Sequence, residues 1–129
     1  MKLDADLFRK LLFVIEDLPA NQTSMAKPII TDFQKKNDVY NKNTIIEHFR
    51  ICIDEGFIRG NYFENAAGSV SITTLNGLEY SGHQLLAKIR EDNVWSKLKK
   101  SFNKVGSNVS LKMIDTASEN LIQKLLVGS

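Results

Sequence analysis

Cysteine is nearly absent. Cys52 is the only one in 129 residues, so no disulfide can form within the chain, which fits a reducing compartment. No apolar run approaches the roughly 18 residues that a membrane helix needs, so no membrane span is expected. The opening MKLDADLFRKLLFVIEDL interleaves acids, Arg9 and Lys10 with its apolar residues, and so lacks the uninterrupted core of a signal peptide. A cytoplasmic location is the simplest expectation. Two histidines and one cysteine, with no close-set pair beyond His48 and Cys52, fall short of a four-ligand zinc site. The seven glycines match no nucleotide-binding fingerprint, and no cofactor is implied. Internal repeats and low-complexity segments are also missing.

What is present is ordinary for one globular domain: 43% hydrophobic and 25% charged residues. The net charge of +2 is unevenly spread. Residues 1–84 hold 9 Lys/Arg against 11 Asp/Glu, residues 85–113 hold 7 against 2, and residues 114–129 hold 1 against 2. The basic excess therefore belongs to one segment, either as a solvated lysine face or as a footprint for an acidic partner.

Asp4 is a plausible N-cap with Leu3 and Phe8 as a hydrophobic staple. Leu7, Leu11, Ile15 and Leu18 then follow at helical spacing until Pro19. From Pro19 to Lys42 the pattern is irregular, and the β-branched and aromatic PIITDF suggests a short strand. Thr44-Ile-Ile-Glu47 has the form of a capping box, which predicts a helix from Ile45 to Glu55 ended by Gly56. FIRGNYF and SVSITTL, separated by ENAAG, read as a β-hairpin. Ser81 to Gln84 forms a second capping box with Tyr80 as its staple, opening a helix that buries Leu85, Leu86 and Ile89. In this reading His83 is a neutral hydrogen-bonding residue at a joint, and Gly82 admits close approach of the hairpin's end. Asp92 can cap a helix with Val94, Trp95, Leu98, Phe102 and Val105 on one side, ended by Gly106. Ser110 can cap a last one with Leu111, Ile114, Leu121, Ile122 and Leu125 toward the core.

The expected fold is mainly α with a small β-hairpin (α+β). It is a single winged-helix-like domain over residues 1–129, with helix, short strand, helix and wing in 1–77 and C-terminal helices in 78–129. The helix that usually precedes the recognition helix is expected to be short or missing. The stretches DADLFRKLLFVIEDLP, NTIIEHFRICIDEGFI and LEYSGHQLLAKIREDNVWSKLKK together resemble the domain-of-unknown-function family numbered 2513, common in phages and prophages of Gram-positive bacteria. The Gly-His pair followed by Arg90-Glu91-Asp92 and Trp95 is the most specific part, and Tyr80 stands where the family pattern has Trp. The resemblance implies a winged-helix-like, phage-type protein and assigns it no activity.

In a winged helix the helix before the hairpin can enter a DNA major groove. Here its outward positions are Glu47, Arg50, Ile51 and Asp54, and two carboxylates beside one arginine would be repelled by phosphate. The wing tip adds Glu64 and no cation. Ile51 is either a scattered surface residue or an anchor for a protein partner. Arg50 and Arg59, with Lys97, Lys100 and Lys104 at spacing i, i+3, i+7, are the candidate nucleic-acid contacts; a solubilising face is the commoner reason for such a lysine stripe. His48 and Cys52 are four apart, the reach of a nucleophile pair, but Cys52 lies on the apolar side where free cysteine is usually inert. The expectation is a non-enzymatic protein that binds a macromolecule. A protein partner, such as a host or defence factor, is favoured over DNA, and a homodimer through the C-terminal helix is a third expectation.

Overall fold

The computed structural model describes residues 3–19, 22–105 and 110–127, without the side chains of 103–105 and 127. Helix α1 (Ala5–Glu16) starts where Asp4, in extended conformation, accepts the Leu7 N–H at 3.0 Å. That bond satisfies one of the donors orphaned at a helix start. Leu7, Phe8, Leu11, Leu12 and Ile15 along α1 are all buried, so this helix is the axis on which the other elements pack.

The PIITDF segment is helical, which corrects both the strand expected there and the expectation that the helix preceding residues 45–55 is short or missing. Helix α2 (Ala26–Lys36) buries Ala26, Ile30 and Phe33 on one face. Pro28 falls in its first turn, where an absent N–H breaks no intrahelical bond. Helical spacing of the buried side chains has overridden local β propensity. The short strand lies just before it, as β1 (Ser24–Met25). Helix α3 (Lys42–Asp54) begins earlier than the Thr44 box predicts, because Asn41 is the cap and accepts the Thr44 N–H at 2.8 Å. Gly56, at φ 82°, takes the left-handed conformation expected after this helix.

The hairpin is as expected: β2 (Ile58–Glu64) pairs antiparallel with β3 (Val70–Leu78). β1 adds to the other side of β3, pairing Ser24 with Leu75 and Met25 with Thr74, so the sheet order is β1-β3-β2. Ile58, Ile72, Leu75 and Leu78 turn their side chains into the core, and Phe57 meets Phe8 edge-on at 6.2 Å between ring centroids.

Three helices complete the chain: α4 (Tyr80–Ile89), α5 (Asp92–Val105) and α6 (Leu111–Val127). Ser81 is not the cap of α4. The capping position is Glu79, and the Ser81 hydroxyl donates instead to the Gly56 carbonyl at 2.7 Å. Tyr80 is exposed rather than stapled. Asp92 is the first residue of α5, and its carboxylate takes Arg9 at 3.0 Å. The Gly106 terminator expected for this helix lies outside the described residues. Ser110 does cap α6, accepting the Met113 N–H at 3.2 Å. Leu111 and Ile114 in the first turn of α6 are buried, but Leu125 is 45% exposed, so the apolar stripe runs on past the core it was expected to fill. The observed architecture is thus mainly helical with a small antiparallel sheet, as the pattern predicts.

Arg9 joins the first and second halves of the chain. Its Nε donates to the Ile89 carbonyl at 2.9 Å and one terminal amino group donates to the Arg90 carbonyl at 2.5 Å, while the guanidinium lies 5.4 Å from the Trp95 ring. Arg90 pairs with Glu16, and the Trp95 indole N–H donates to Asp6 at 2.8 Å. The Arg90, Asp92 and Trp95 motif therefore docks α4 and α5 onto α1.

Candidate protein-binding face and basic stripe

The outward residues of α3 form a closed charge network. The Arg50 guanidinium donates to Glu47 at 2.7 and 3.0 Å and to Asp54 at 3.2 Å. Tyr62 on β2 donates its hydroxyl to the other oxygen of Asp54 at 2.6 Å, tying helix to hairpin. The bond to Glu47 raises the Arg50 pKa, and the bond to Asp54 raises that of the Tyr62 hydroxyl. Glu47, Arg50 and Asp54 do come together, as spacing of three and four residues on a helix allows.

Ile51 departs from expectation. It is only half-exposed and packs against the core, because α3 is flanked by α1, α2 and both long strands, leaving less than a full face outside. An anchor role for Ile51 would rest on part of its side chain. Arg59 sits on β2, away from Arg50's network, with Nε on the Glu79 carboxylate at 2.7 Å. Both arginines proposed for nucleic acid thus already hold acids. Lys97 and Lys100 on α5 are exposed and carry no ion pair among the described residues; the Lys104 side chain lies outside them.

His48 and Cys52 do not form a catalytic pair. Burial pushes the Cys52 thiol far above its ordinary pKa, which removes the thiolate. The buried His48 ring bridges two helices: Nδ1 donates to the Thr44 carbonyl at 2.8 Å, and Nε2 accepts the Asp4 N–H at 2.9 Å. This use requires the neutral ring, and burial lowers the pKa, partly offset by the Thr44 bond. Nothing in the sequence points to the His48 partner 44 residues away. Sequence patterns also missed a cleft of about 490 Å³ between α1 and α2, floored by Phe13, Val14, Leu18, Ile29 and Phe33.

His83 is exposed, and its ring has no hydrogen-bond partner among the described residues, so it is not the joint. Gly82 is. A Cβ there would stand 2.1 Å from the Phe57 carbonyl oxygen, so only glycine lets α4 lie on the link between α3 and β2.

A helical protein of α+β class, with a three-stranded sheet and an arginine held between two carboxylates on its third helix, is what these residues define. The chain belongs to the family described as "Hypothetical protein (DUF2513)", whose model matches residues 2–108. It is also similar to an uncharacterized protein of Haemophilus influenzae, 28% identical over 126 residues that span 98% of this chain and 99% of the relative. No solved structure matches it.

Proposed function

We propose that this protein is a non-catalytic winged-helix module that acts by binding another protein, as an accessory to or inhibitor of a host or defence factor. The order α1-β1-α2-α3-β2-β3 with sheet order β1-β3-β2 supports the winged-helix reading. The observation that carries the choice of partner is Arg50 held between Glu47 and Asp54. The face around Arg50 holds two carboxylates against one guanidinium, so it carries net negative charge, repels phosphate and leaves no free arginine to release counterions from DNA. The same hydrogen-bonded surface suits a protein interface, where buried charges must be paired. Glu47, Arg50, Ile51 and Asp54 form the contact face in this reading.

Affinity capture from host lysate, with and without nuclease treatment, tests it. A protein retained after nuclease and lost with the double substitution Glu47→Lys, Asp54→Lys is the expected result. Capture that nuclease abolishes would overturn it.

One observation favours DNA instead: Lys97 and Lys100 are exposed without acid partners among the described residues. Point charges of this kind bind phosphate without reading bases. Binding to random duplex should then weaken steeply with salt, and changing both lysines to alanine should lower the slope of log K against log salt by about 2.

A further inference from the structure

His83 and Arg59 meet at a pocket of about 250 Å³ that forms where the end of α1, the hairpin and α4 converge. Leu18 and Leu78 supply apolar wall, while Glu16 and Asn76 complete the polar lining. Hydrogen-bonding capacity is unused on both sides of it. Arg59 commits only Nε to Glu79, so its two terminal amino groups have no partner among the described residues. Neither ring nitrogen of His83 has one. Asn76 gives its Nδ2 to the Thr23 hydroxyl at 2.9 Å, but its Oδ1 is buried with no partner. An amide oxygen left in that state costs free energy, which a bound donor would recover once the side chain turned that oxygen toward the pocket.

Charge decides the class of ligand. Arg59 is balanced by Glu79, and Glu16 by Arg90. A pocket with free donors and free acceptors but no net charge from its arginines and carboxylates favours a zwitterion over a simple anion or cation. The volume suits a molecule of amino-acid size, and Leu18 and Leu78 suit a short aliphatic side chain.

We infer that this pocket binds a small α-amino acid, its carboxylate on Arg59 and His83 and its ammonium toward Asn76 and Glu16. The site is separate from the α3 face, so it stands whether or not a protein binds there. Its ligand would bridge α1, β2, β3 and α4, and would hold the docked helices to the sheet.

Titration of the ¹⁵N-labelled protein with L-valine, followed by amide chemical shifts, tests this directly. Saturable shifts at Asn76, Gly77 and His83 are expected, with millimolar or tighter affinity for so small a ligand. Arg59→Ala and His83→Ala, both at exposed positions, should each weaken binding at least about tenfold while leaving the fold's spectrum intact. Isobutyrate and isobutylamine, each carrying one end of the zwitterion, should bind more weakly than valine. No saturable shift with valine, or shifts unaffected by both variants, would overturn the site. Isobutyrate binding as well as valine would overturn the zwitterion assignment.

Discussion

Replacing Gly82 with alanine sets two effects of opposite sign against each other. In an isolated helix the change stabilises by about 1 kcal/mol, because glycine loses more backbone freedom. Here the added Cβ would lie 2.1 Å from the Phe57 carbonyl oxygen, roughly 1 Å or more inside ordinary contact. The obstacle is backbone, so relief means moving α4 away from the link between α3 and β2. Two hydrogen bonds cross that seam: Glu79 N–H to the Phe57 carbonyl at 3.0 Å, and Ser81 hydroxyl to the Gly56 carbonyl at 2.7 Å. Losing both costs about 2 kcal/mol, and overpacking adds about 1–3 kcal/mol. Set against the helix gain, the net loss is about 2–4 kcal/mol, a large share of a small domain's stability. Urea unfolding followed by circular dichroism measures it, with Ser81→Ala as a control costing about 1 kcal/mol. Gly82→Ala as stable as the parent, or more so, would refute the contact and leave helix propensity in charge.

His48 makes stability depend on pH. Its folded pKa lies below the ordinary value of 6.5, so on acidification the unfolded chain takes up the proton first. Its contribution is complete above about 6.5 and is lost as pH falls from there through the folded value; unfolding free energies measured across that range should show a slope that His48→Gln flattens. Arg9→Ala removes donors to two carbonyls and to Asp92, and should cost about 2–3 kcal/mol in denaturant melts. Arg9→Lys should restore little of it, since an ammonium cannot reproduce the fork. If the exposed end of α6 pairs two copies, sedimentation at two concentrations should show association that Leu126→Asp abolishes.

Local chemistry was the legible part of this fold. Asp4, Ser110 and Gly56 mark helix ends through bonds or dihedrals that involve neighbouring residues, and the hairpin follows from alternation and turn residues. The α2 segment has the β-branched content of a strand but folds as a helix, because Ala26, Ile30 and Phe33 at helical spacing bury together. At the candidate face, helical spacing was enough to bring Glu47, Arg50 and Asp54 together. It was not enough to show Ile51 half-covered, since that depends on which elements flank α3.

The sequence by itself determined the class of the fold, most of its helices and the one-sided basic segment, because periodicity and capping act over a few residues. Only the tertiary structure decided what the Gly-His pair is for. Gly82 is required by a backbone carbonyl 25 positions earlier in the chain, and His83 faces a pocket shared with α1 and the hairpin. Contacts of that kind are set by how elements pack, and no local pattern encodes them.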